Sequence, residues 1–131
     1  MERTTTRVEL RAKPLIIGRH VYGNLYGCDP KALEDLRHVK RLVREAVSAA
    51  RMRLVSLKGW RIGGESGGVS VLALIMESHV AVHTWPNYGY ATLDIYTCGD
   101  GSDPLAAFEH VSKGLKPRHV VRHIADRSSI P

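Results

Sequence analysis

Cysteine and bulky aromatics are scarce in this 131-residue chain, which has two cysteines, two tryptophans and one phenylalanine. Cys28 and Cys98 are too few for a disulfide framework, and in a reducing compartment each thiol is either core filling or chemistry. No apolar run approaches the ~20 residues a membrane helix needs; the longest, Val71 to Met76, is strand-sized. No stretch near the N-terminus combines a charged region, an apolar run and a small-residue cleavage site. These absences predict a cytoplasmic protein with no membrane partner. The length allows one hydrophobic core and not two.

What is present begins with charge. Nineteen Lys and Arg against thirteen Asp and Glu give +6. An excess of that size permits a nucleic-acid partner. The pattern opposes one, because Arg37, Lys40, Arg41 and Arg44 alternate with Glu34, Asp35 and Glu45 as on a solvated helix face. The charge reads as solubility, with no nucleic acid.

Residues 1–13 are polar and carry no periodicity that would bury a face, so they read as a flexible N-terminal arm before a single domain over 14–131. Gly18 to Tyr26 reads as a strand. Asp29-Pro30 opens a helix over 30–51, with apolar residues at Leu33, Leu36, Val39, Val43, Ala46, Val47 and Ala50. Met52 to Trp60 reads as a strand, the glycines between 63 and 68 as a connection, and Val69 to Met76 as a strand inside its sheet. A short strand over Val80 to Thr84 and a turn at Trp85 to Gly89 follow. Tyr90 to Cys98 then places Ala91, Leu93, Ile95 and Thr97 on one face and Thr92, Asp94, Tyr96 and Cys98 on the other. Asp103-Pro104 starts a second helix with Leu105, Phe108, Val111 and Leu115 as its stripe, and Arg118 to Ala125 closes the chain as a strand. The order β-α-β-β-β-β-α-β predicts an α+β two-layer sandwich, a largely antiparallel sheet with two helices on one face.

Ser78, His83 and Cys98 cluster around one pair of these strands. His79 and His83 share a strand face, but at a rise of ~3.3 Å per residue they stand ~13 Å apart, too far to ligate one zinc ion. A Cys98–His83 nucleophile pair would need a third group and an oxyanion hole that the sequence does not display. A binding module in which all three residues are incidental stays open.

The words Glu77-Ser78-His79, His83-Thr84-Trp85-Pro86, Tyr88-Gly89-Tyr90-Ala91 and Thr97-Cys98-Gly99, in this order, resemble the small prokaryotic S-adenosylmethionine decarboxylases and their archaeal relatives that decarboxylate arginine. The likeness runs from about Ile17 to Arg127. It implies a proenzyme that cuts itself between Glu77 and Ser78 into chains 1–77 and 78–131, leaving a covalently bound pyruvoyl group derived from Ser78. The resemblance assigns processing roles to Ser70 and His83, and protonation of the decarboxylated substrate to Cys98. The pyruvoyl ketone would form a Schiff base with the substrate amine and act as the electron sink for loss of carbon dioxide. The likeness also implies a homo-oligomer of cleaved protomers, a dimer or higher. An inactive subunit assisting a paralogue is the non-catalytic variant of the same likeness.

Both substrates of the family are small cationic amino acids. His20 to Tyr26, Gly67 to Val71 and Ala125 to Ser129 look more like the arginine branch, as does Asn87 where the other branch commonly carries a glutamate. Arginine decarboxylation to agmatine and carbon dioxide, for polyamine synthesis, is therefore the expected activity, with S-adenosylmethionine decarboxylation as the alternative. A guanidinium needs a carboxylate. Asp94, on the polar face of the strand that ends in Cys98, is the candidate beside Asn87.

Overall fold

The computed structural model describes residues 15–64 and 67–130, so the arm expected over 1–13 lies outside the described residues. The strands and α-helices follow in order: β1 (Gly18–Tyr26), α1 (Pro30–Glu34), α2 (Leu36–Ala49), β2 (Leu54–Arg61), β3 (Val69–Ile75), β4 (Ser78–Trp85), β5 (Tyr90–Cys98), α3 (Pro104–Leu115) and β6 (His119–Asp126). The strands form one sheet in the order β2-β3-β4-β5-β1-β6, and every neighbouring pair is antiparallel. The helices cover one face, giving the expected α+β two-layer sandwich.

Three local expectations are corrected. The helix expected over 30–51 is two helices, because Asp35 adopts an extended conformation and its carboxylate caps the His38 N–H of the second. The strand expected to start at Val80 starts at Ser78, so Ser78 belongs to the sheet. Leu105 is exposed, and Ala107 joins Phe108, Val111 and Leu115 on the buried stripe of α3. The turn after β4 is a 3-10 helix over Pro86–Tyr88, closed by Gly89 in the left-handed conformation.

Alternation decides which face is covered. Val69, Val71, Ala73 and Ile75 on β3, Val80 and Val82 on β4, and Ala91, Leu93 and Ile95 on β5 are all buried under the helices. The other face carries Ser70, Leu72, Leu74, His79, His83, Asp94, Tyr96 and Cys98, and among the described residues no helix packs on it. Gly68, entering β3, shows how closely the strands are set: a Cβ there would meet the Thr84 carbonyl oxygen of β4. Thr84 is buried with its hydroxyl accepting from the Val69 N–H at 2.9 Å and donating to the Leu33 carbonyl at 2.7 Å. That end of β4 is therefore tied to both layers.

Candidate active site

Met76 and Glu77 form the two-residue turn of the β3–β4 hairpin, in which Ile75 pairs with Ser78. Hairpin turns of this length favour glycine or asparagine at φ > 0. Here neither turn residue is of that kind, and the unusual geometry falls on Ser78, whose φ is 148°. A side chain held outside the ordinary β region costs about 1–3 kcal/mol. The Glu77 carbonyl oxygen, one bond before Ser78, accepts the Cys98 N–H at 2.8 Å. The Glu77–Ser78 peptide is therefore strained on one side and polarised on the other. Among the described residues the Ser78 hydroxyl has no hydrogen-bond partner.

Cys98 is half-buried on the uncovered face at the end of β5. The loop behind it is fastened from several sides. Arg19 Nη2 donates to the Ser102 carbonyl at 2.8 Å, Arg51 Nε to the Gly101 carbonyl at 3.0 Å, and the hydroxyls of Thr97 and Ser102 lie 2.8 Å apart. A cavity of about 300 Å³ opens beside this loop, lined by Arg51, Arg53, Glu77, Cys98 and Asp100 among others. A cavity of about 600 Å³ between α3 and β6 touches none of the residues singled out from the sequence.

His83 is not in this group. It pairs with Ser70 across β3 and β4, and the Ser70 hydroxyl lies 2.8 Å from His83 Nδ1. Ser78 and His83 stand at opposite ends of β4, and a rise of ~3.4 Å per residue separates them by roughly 17 Å. Within one chain, then, the expected trio divides into Ser78 with Cys98 at one end of the sheet and His83 with Ser70 at the other. Asn87, on the 3-10 helix past β4, lies at the His83 end.

The family described as S-adenosylmethionine decarboxylase matches residues 19–128. The chain belongs to that family. Relatives named arginine decarboxylase proenzyme are 56% identical over 117 residues in Hyperthermus butylicus, covering 89% of this chain and 82% of that one. The one in Ignicoccus hospitalis is 56% identical over 114 residues, covering 87% and 79%. The crystal structure of the adenosylmethionine decarboxylase from Aquifex aeolicus superposes with a TM-score of 0.81 at 29% identity, covering 92% of this chain and 96% of that one.

In this family member Asp94 sits on the uncovered face between the two ends, opposite Ala81. Both of its oxygens are engaged, Oδ1 with His20 Nε2 at 2.5 Å and Oδ2 with His79 Nε2 at 3.4 Å. Tyr96 lies beside them, against His20 and His79, and the Arg127 guanidinium stacks on its ring at 4.8 Å. Sequence reasoning missed Arg19, Arg51 and Arg53, all of which act through backbone or loop contacts that leave no motif. His20 was legible in principle, because β1 alternation puts it on the same face as Tyr22. Among the described residues no group of three metal-ligating side chains occurs and no helix is long and apolar enough to cross a membrane.

Proposed function

We propose that this chain is an arginine decarboxylase that cuts its own Glu77–Ser78 bond to generate a pyruvoyl group. The observation carrying the self-cleavage is the strained Ser78 beside a Glu77 carbonyl already hydrogen-bonded by the Cys98 N–H. Attack by the Ser78 hydroxyl forms an Oγ–carbonyl bond and breaks the peptide C–N bond, and the hydroxyl proton passes to the nitrogen. The resulting ester then loses the Ser78 Cα proton and the Cβ–Oγ bond, which leaves Glu77 as a carboxylate. One water replaces the nitrogen, released as ammonia, and residue 78 becomes the ketone. The Cys98 N–H is placed to stabilise charge growing on the Glu77 oxygen during the attack, the task of an oxyanion-hole donor.

The residues present fit a pyruvoyl group, since Ser78 supplies its atoms and Cys98 stands next to it. That group supplies a carbonyl that condenses with the substrate amine and draws electrons from the α-carbon as carbon dioxide leaves. The Cys98 thiol then delivers a proton to the α-carbon.

Ser70 and His83 reach this chemistry only from a second copy. Two uncovered sheet faces stacked about a two-fold axis lying across β4 bring the Ser78 end of each protomer over the His83 end of the other, at the ~10 Å spacing of packed sheets. Leu72, Leu74 and Trp60, exposed on that face in one chain, become its apolar contacts. Asp94 and Asn87 fall in the cleft between the copies as substrate contacts.

Arginine is favoured by the two arginine decarboxylase proenzymes at 56% identity. A carboxylate that a guanidinium can pair with is supplied by Asp94, whose Oδ2 is held only loosely by His79 at 3.4 Å. S-adenosylmethionine is the second reading, supported by the likeness to the Aquifex aeolicus enzyme. Denaturing mass analysis is expected to give fragments 1–77 and 78–131, and carbon dioxide release is expected from arginine in preference to S-adenosylmethionine. A chain that stays whole and releases none from either substrate overturns the proposal.

A further inference from the structure

Glu77 contributes more than a carbonyl. Its side chain is only 12% exposed, although it sits in a hairpin turn. Its Oε1 accepts the Arg53 backbone N–H at 3.0 Å and its Oε2 accepts Arg53 Nε–H at 3.2 Å. The Met76 N–H donates to the Arg53 carbonyl at 2.8 Å. With the Cys98 N–H on the Glu77 carbonyl, the turn is held from two directions, by the segment entering β2 and by the end of β5.

The partners are unequal. The Arg53 guanidinium is 74% exposed, and an exposed ion pair is worth little. The backbone N–H to a carboxylate is a charge-assisted bond and needs no ordered side chain on the donor. Burial pushes the Glu77 carboxyl up, but the Arg53 backbone and side-chain bonds bring it below its ordinary value, which favours the carboxylate that accepts both bonds. A turn without glycine or asparagine has little intrinsic preference for its shape. The carboxylate supplies from outside what the turn residues lack.

We infer that the Glu77 side chain is a positioning residue for cleavage of its own C-terminal peptide bond. By strapping the turn to the Arg53 backbone it sets the Glu77 carbonyl against the Cys98 N–H and holds Ser78 in its strained conformation. This rests on the reading that the 77–78 bond is the one cut. The strap acts on attack, because its hydrogen bonds run to Arg53 and fix the backbone of the peptide to be cut.

The test follows cleavage of freshly refolded chains by intact mass, with thermal melting as the check on folding. Glu77→Met, close in size and without acceptors, is expected to cleave at least tenfold more slowly than wild type. Glu77→Gln, whose amide oxygen still accepts the Arg53 N–H, is expected to recover to within about threefold. Arg53→Ala keeps its backbone N–H and is expected to cleave within about threefold of wild type. Glu77→Met cleaving at the wild-type rate overturns the inference while leaving the cleavage reading intact. A wild-type chain that never cleaves overturns the cleavage reading itself.

Discussion

The Ser70 hydroxyl and His83 Nδ1 are 2.8 Å apart on neighbouring strands, at the opposite end of β4 from Ser78. A pair so placed serves the Ser78 of another copy better than its own. Co-expression of a Ser78→Ala chain with a His83→Ala chain, each carrying a different tag, separates the two possibilities. Each variant alone is expected to stay whole. In mixed dimers the His83→Ala chain is expected to be cut, because its own Ser78 meets the intact His83 of its partner, while the Ser78→Ala chain stays whole. If His83 acted within its own chain, neither would be cut.

Cys98 holds two positions at once, its amide on the Glu77 carbonyl and its thiol on the uncovered face. Removing the thiol leaves the amide. Cys98→Ala is therefore expected to cleave at a rate close to wild type and to lose about 10²–10⁴-fold in carbon dioxide release, the usual worth of a positioned general acid. Mass analysis reads the first effect and a release assay the second. Loss of cleavage in this variant would assign the thiol to maturation.

Much of this was legible in the sequence because strand alternation is a local property. The faces of β5 follow directly from residues 90–98, and β1 runs over the expected residues. The break at Asp35 was hidden because the apolar spacing from Leu33 to Leu36 continues through it. An aspartate that caps a new helix resembles, in sequence, one on a solvated helix face. The division of the trio was hidden for a different reason. Ser78 and His83 are close in sequence, and only their strand geometry separates them. The strap on Glu77 was invisible, since its main donor is a backbone N–H and Arg53 could be many residue types.

Cys28 gives a pH prediction with a definite sign. Burial pushes its thiol from the ordinary 9.0 up to about 11. Between those values the unfolded chain has released the proton and the folded chain has kept it, so stability falls as pH rises through that window and is unaffected below it. Urea midpoints at pH 8 and pH 10.5 are expected to fall further for wild type than for Cys28→Ala. Every other group is common to the two proteins, so the difference between them carries the result. Equal falls would clear Cys28 of any part in alkaline destabilisation.

Asp94 shows where a substrate guanidinium can enter. His20 holds Oδ1 at 2.5 Å, while His79 reaches Oδ2 only at 3.4 Å, so the second oxygen is the one a cationic group can take over. A bidentate contact would displace both imidazoles, whereas a single charge-assisted bond needs only the looser one to yield. Asp94→Asn keeps a similar shape and an acceptor for His20 but loses the charge. A hydrogen bond to a charged group is worth about 1.5–3 kcal/mol, or roughly 10–150-fold in binding. The variant is expected to cleave normally and to show KM for arginine raised by about tenfold or more, with a smaller effect on kcat. Because Asp94 bonds to His20 and His79 and not to Glu77 or Ser78, normal cleavage also certifies the fold. An unchanged KM in a fully cleaved variant would remove Asp94 from the pocket.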